Sequence, residues 1–240
     1  MQFDNCEMAA IAQAEGQPTQ ARLDIYGVIH KAVRAALCDA LVLLGRSDPQ
    51  DDADLDEMAE RVRGLLVFCG QHLRHENDFL HPALEARAVG TSAEVSDDHV
   101  EHVASIRSLE QQLQQLMQTP APARNAAALS FYHRLSHFVA ENLEHMLVEE
   151  SRHNAALWQH YNDAELAEIH NALVGSIPPA EMMDTLHWML PHMHHAERVE
   201  MLLDMRAHAP APAWDAALGV ARQRLSERDW GKLERALAAA

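Results

Sequence analysis

The residues with the most chemical capacity are two histidine–glutamate pairs. His72 and Glu76 stand four apart in HLRHENDFLHPAL, and His145 and Glu149 stand four apart in HMLVEESRHNAAL. On a helix that spacing puts both members on one face. Continued at helical spacing, the first face reads Leu65, Phe68, His72, Glu76, Phe79, Ala83. The second reads Phe131, Leu135, Phe138, Asn142, His145, Glu149, Ala156. Each stripe is apolar on both sides of its polar pair and so belongs in a core. A buried carboxylate costs several kcal/mol unless it is paired or bound to a metal. Two matching helices therefore predict a shared metal site.

Two further stripes carry histidine. Leu23, Tyr26, His30, Val33, Leu37, Leu41 places His30 on a first helix. Val95, His99 or His102, Ile106, Leu109, Leu113 places one or both of those histidines on a third. His30 and His72 are 42 residues apart, and His102 and His145 are 43 apart, a near-equality that favours His102 over His99. The ligand candidates are thus His30, His72, Glu76, His99, His102, His145 and Glu149. Imidazole with carboxylate suits iron, zinc or copper, and two carboxylates are able to bridge a pair of ions. Glu150 competes with Glu149, but lies about 140° from His145 around a helix, against about 40° for Glu149. His75 falls off the stripe, and His81 falls opposite His72 and reads as packing. His192, His194 and His195 follow Pro191 and read as a solvated helix start. Cys38 and Cys69 read as core thiols.

The elements that must position these residues are four long helices. They run from about Gln20 to Gly45, from near Asp54 to the AVGTS turn, from Ser96 or Asp97 to the TPAPAR linker, and from about Asn125 to His160. No strand alternation occurs. The fold class expected is all-α: an up-down-up-down four-helix bundle with a C-terminal helical extension. Residues 1–19 read as a loose arm, 20–160 as the bundle and 161–240 as the extension. Within the extension, helices are expected at 163–175, 180–190, 194–208, 214–225 and 227–239. Prolines at 178, 179 and 191 and the APAPA run at 209–213 punctuate them.

The pattern resembles the hemerythrin-like proteins, the HHE cation-binding domain family. That family's order is a histidine on the first helix, His-x-x-x-Glu on the second, one or two histidines on the third, and His-x-x-x-Glu or His-x-x-x-x-Asp on the fourth. Here these are His30, His72 with Glu76, His99 and His102, and His145 with Glu149. HENDFLHPAL and HMLVEE share the family's local wording, and the resemblance covers about residues 20–160. It implies a non-haem di-iron cofactor and a small diatomic ligand, oxygen or nitric oxide, that is bound, sensed or scavenged. The three-residue step from His99 to His102 departs from the four-residue step of oxygen carriers. Two other uses of the same site stay open: a di-iron oxidoreductase or iron-handling repair protein, and a metal-stabilised regulatory module.

Bulk composition narrows the partners. The chain has 240 residues, with 19 Lys and Arg against 36 Asp and Glu, a net charge of −17 with neutral histidine. Nucleic acid, which selects basic patches, is not an expected partner. No run approaches the roughly 20 apolar residues of a membrane span. The first twenty residues lack a basic start followed by an apolar run, and Cys6, Cys38 and Cys69 have no metal or redox spacing, so a cytoplasmic protein with reduced thiols is expected.

Overall fold

The computed structural model describes residues 22–240, which are helical with no strand among them. The expected arm at 1–19 and Cys6 lie outside the described residues. The first helix is Gly27–Arg46. The second runs Asp52–His75, passes through a wide turn at Glu76–Leu80, and resumes as His81–Arg87. The third is Ala93–Met117. The fourth runs Ala121–Val148, passes through a second wide turn at Glu149–His153, and resumes as Asn154–His160. Five shorter helices follow, Asp163–Ser176, Pro179–His192, His195–His208, Ala211–Arg224 and Glu227–Ala239. This is the all-α bundle with a helical extension that the stripes predict.

By its contacts the chain falls into two units. One takes Ala36–Val174 with the described residues up to Tyr26. The other takes Gly27–Ala35 with Gly175–Ala240.

In the first unit the stripe residues Leu65, Phe68, Val95, Ile106, Leu109, Leu113, Phe131, Leu135 and Phe138 are buried as expected. The far end is closed by Ile25, Tyr26, Leu80, Leu84, Leu157 and Leu166. Polar clamps hold that end. Arg22 bonds Asp163 at 2.6 Å and donates to the Trp158 and Tyr161 carbonyls at 3.0 and 2.7 Å. The Tyr161 hydroxyl donates to the Ala83 carbonyl at 2.7 Å, tying the resumed ends of the second and fourth helices together. Burying Leu80, Leu84 and Leu157 contributes about 1.5–3 kcal/mol each.

In the second unit Leu186, Leu190, Leu202, Ala217, Val220, Ala221, Leu233 and Leu237 form a core of their own. Lys31 pairs with Glu197 at 2.5 Å. His194 caps the helix that follows it, accepting from the Glu197 N–H at 3.3 Å, while Glu197 accepts from the His194 N–H at 2.8 Å. That reciprocal cap is the solvated helix start expected of this histidine run.

Several boundaries differ from those expected, each for a local reason. Among the described residues the first helix opens at Gly27, with residues 22–26 non-helical before it, because the Asp24 carboxylate accepts from the Tyr26 N–H at 3.0 Å and holds a turn there; the expected start at Gln20 lies outside the described residues. The third opens at Ala93, not Ser96 or Asp97. Glu85 accepts from the Gly90 N–H, the Ser92 N–H and the Ser92 hydroxyl, which fixes the entry earlier. Gly90 has φ +84°, a conformation that favours glycine. The fourth opens at Ala121, with Pro122 in its first turn, where a missing N–H costs nothing. Pro191 lies inside its helix instead of ending it, one residue from the C-terminus. The carbonyls of Leu190 and Pro191 there accept from Arg198 at 2.6 and 3.0 Å. Cys69 is a core thiol, as expected. Cys38 is exposed, on the outer side of the first helix.

Candidate metal centre

Glu76 and Glu149 each open a wide turn. The His81 N–H bonds the Glu76 carbonyl and the Asn154 N–H bonds the Glu149 carbonyl, both five residues back. Such single wide turns inside α-helices occur often at functional sites. Each adds one residue to the helix and turns everything after it by about 100°. The buried residues past Glu76 are therefore Leu80 and Leu84 rather than Phe79 and Ala83. Past Glu149 the buried apolar residue is Leu157 rather than Ala156.

The two carboxylates lie inside the bundle, 1% and 0% exposed. Glu76 reaches His72 Nε2 with one oxygen at 3.2 Å and His99 Nε2 with the other at 3.6 Å. Glu149 reaches His99 Nε2 with one oxygen at 3.7 Å and His145 Nε2 with the other at 3.4 Å. His99 and His145 bring their Nε2 atoms to 3.0 Å. Bonds of about 2.1 Å to one ion would place neighbouring ligand atoms roughly 3.0–3.4 Å apart; the spacings of 3.0, 3.2 and 3.4 Å fall in that range, and the two from His99 to the carboxylates, 3.6 and 3.7 Å, lie just beyond it. Ligand atoms of Glu76, His99, His145 and Glu149 all lie within 4.8 Å of one another, as do those of His72, Glu76 and Glu149.

The outer nitrogens of the histidines are held. His99 Nδ1 lies 2.9 Å from Asn77 Oδ1, and His145 Nδ1 lies 3.3 Å from Asp98 Oδ2. An Nδ1–H that donates outward leaves the Nε2 lone pair facing inward, as a metal requires. Burial lowers the His99 pKa, with Glu76 and Asp98 opposing, and burial lowers that of His102 to about 4, assisted by His99. Neutral imidazoles are the form that ligates.

Of the sequence candidates, the structure brings together His72, Glu76, His99, His145 and Glu149. His102 is buried with its ring centroid 4.8 Å from that of His145, outside these ligand groups. His30 is fully buried on the part of the first helix that groups with the second unit.

Three residues beyond the candidate list lie against the cluster. His81, His153 and Tyr26 are 6%, 1% and 0% exposed. A regular helix would put His81 opposite His72. The wide turn swings it to the inner side, and swings His153 into line with His145. His81 stacks on His99 with centroids 4.7 Å apart. The Tyr26 hydroxyl lies 3.3 Å from His153 Nδ1. Burial raises the Tyr26 pKa well above its usual value, with Glu149 and Glu76 adding to the effect. Burial likewise carries His81 and His153 down to about 4, with the Thr91 backbone acting the other way on His153. The sequence held one signal for this rearrangement. In both helices a leucine stands one position after a stripe residue: Leu80 after Phe79, Leu84 after Ala83, and Leu157 after Ala156.

Compared with known families, the chain matches the hemerythrin HHE cation binding domain over residues 23–157, more than half its length. No curated protein and no solved structure matches it significantly.

Proposed function

The chain belongs to the hemerythrin HHE cation binding domain family, and on that premise we propose that it is a non-haem di-iron protein that binds, senses or scavenges oxygen or nitric oxide. The observation that carries this reading is the pair of buried carboxylates, each with its two oxygens directed at different histidines. His30, His72, Glu76, His99, His145 and Glu149 would hold the two ions, the carboxylates supplying the negative charge that offsets them. His30 enters on the family's helix order, and His102 stays as the alternative third-helix ligand. Bound iron would supply the redox couple and the affinity for a diatomic molecule that side chains lack.

The rest is the work of this chain's own residues. Asn77 and Asp98 fix the ring orientations of His99 and His145. Burial favours the neutral, ligating form of His99. Phe68 and Phe138, 6% and 2% exposed, wall the bundle interior and favour a small guest over bulk water. No helix among the described residues is long and apolar enough to cross a membrane. The proposal keeps the bundle at 20–160 as the metal-binding part, 161–240 as its extension, the cytoplasm as its compartment, and no nucleic acid as partner.

Elemental analysis and optical spectra of protein expressed with ample iron test this. About two irons per chain are expected, with a new visible band when azide meets the oxidised protein. Rapid spectral change is expected when the reduced protein meets oxygen or nitric oxide. One zinc and no iron after anaerobic ferrous reconstitution would overturn the di-iron reading. Iron without any response to the three ligands would replace it with the regulatory one.

A further inference from the structure

We propose that the wide turns build a third cation position, held by His81, His153 and Glu149, for a divalent ion of the zinc or ferrous class. It shares Glu149 with the di-iron pair, and rests on that reading only for the order in which the positions fill.

Four observations carry it. First, ligand atoms of His81, Glu149 and His153 lie within 4.8 Å of one another, and all three residues are buried. Second, the Nε2 atoms of His81 and His153 are both shielded from solvent and make no hydrogen bond of normal geometry, with the Thr91 backbone near the His153 ring. A buried unsatisfied polar atom costs about 1–3 kcal/mol, and here two belong to histidines that each have a ring nitrogen within 4.8 Å of a Glu149 oxygen. The two rings meet edge to face with centroids 5.8 Å apart and do not hydrogen-bond each other. Third, each ring has its outer nitrogen beside a hydroxyl, His81 Nδ1 at 3.1 Å from Ser96 Oγ and His153 Nδ1 at 3.3 Å from the Tyr26 hydroxyl. A hydroxyl that accepts from Nδ1–H leaves a bare lone pair on Nε2, the same device that Asn77 and Asp98 supply for His99 and His145. Fourth, both histidines reach this place only because each wide turn adds a residue. Two helices adopt the same costly irregularity, and it delivers the same residue type to the same carboxylate.

Two imidazoles and one carboxylate form the ligand type of three-residue ferrous and zinc sites with open positions. Charge ranks the positions. The pair draws on two carboxylates, Glu76 and Glu149, whereas the third has only a share of Glu149, so it fills last and dissociates first.

Zinc counting by equilibrium dialysis tests the proposal on the full-length chain after chelation. Wild type and the double variant His81→Ala/His153→Ala are compared, with far-UV circular dichroism as the check on folding. The expected result is three zinc per chain in wild type and two in the variant, the third equivalent binding at least about tenfold more weakly than the others. Equal counts in the two chains overturn the proposal. So does an extra equivalent that survives the double change and disappears with His192→Ala/His194→Ala/His195→Ala, which would mark it as surface binding. Should the double variant not fold, Ser96→Ala and Tyr26→Phe decide. Each removes one positioning hydroxyl, and each should weaken only the third equivalent, by about 10–100-fold. Unchanged affinity in both overturns the assignment. The difference between chains reads the third position and the iron count of wild type reads the pair, so either reading can fail alone.

Discussion

Replacing Glu149 by Gln should have opposite effects with and without metal. Glu149 and Glu76 place ligand oxygens within 4.8 Å of each other, with neither side chain open to solvent. At that separation and an effective dielectric constant of about 20, two negative charges repel by about 3.5 kcal/mol. Glutamine keeps the shape and removes the charge. The metal-free protein should therefore gain roughly 3 kcal/mol, or about 6–12 °C in melting temperature for a chain of this size. The metal-loaded protein should lose, because the residue common to the ligand groups no longer neutralises the ions. Ligand present at about 100 times its dissociation constant stabilises by about 2.7 kcal/mol, and that increment should largely vanish. Calorimetric melts of both chains at neutral pH, with chelator and with excess ferrous ion under anaerobic conditions, measure the four temperatures. If glutamine lowers both melts by the same amount, Glu149 is an ordinary structural carboxylate and the argument for a metal centre fails.

Three other outcomes are expected. His72→Ala or His145→Ala alone should remove most of the iron measured by elemental analysis, since a buried ligand has no substitute nearby, while His192→Ala/His194→Ala/His195→Ala should leave it unchanged. Asp98→Asn should weaken metal binding by about 10–100-fold in competition with a chelator without unfolding the bundle, because it alters only the acceptor behind His145. The metal-free protein should lose stability as pH falls from about 6.5 to about 4. His81, His102 and His153 have folded pKa values of about 4, so below 6.5 the unfolded chain takes up protons that the folded chain refuses. Each contributes up to about 3 kcal/mol, present above 6.5 and lost as pH falls through the folded value. Urea titrations across that range would show it, and a flat profile would mean that these histidines are not held neutral.

The sequence by itself determined the helices, their order, and the paired His72–Glu76 and His145–Glu149 faces. Those depend on a 3.6-residue period and on the cost of burying a carboxylate, both of which are local facts. The extension's helices were legible in number and order, but the helix expected from 214 opens at Ala211, because Pro212 falls in its first turn, where a missing N–H costs nothing and does not break the helix. What only the tertiary structure decided is the phase of the second and fourth helices beyond Glu76 and Glu149. A single added residue turns the downstream face by about 100°. It is selected by packing Leu80, Leu84 and Leu157 beside Ile25, Tyr26 and Leu166, not by any propensity within the turn. That is why His81 read as a packing residue opposite His72 rather than as a neighbour of the cluster, and why His153 was not a ligand candidate. The same holds for Asn77 and Asp98, whose value as acceptors arises only when the third and fourth helices bring His99 and His145 to them. Residue type and spacing named the ligands, and the closing of the bundle decided which further side chains stand behind them.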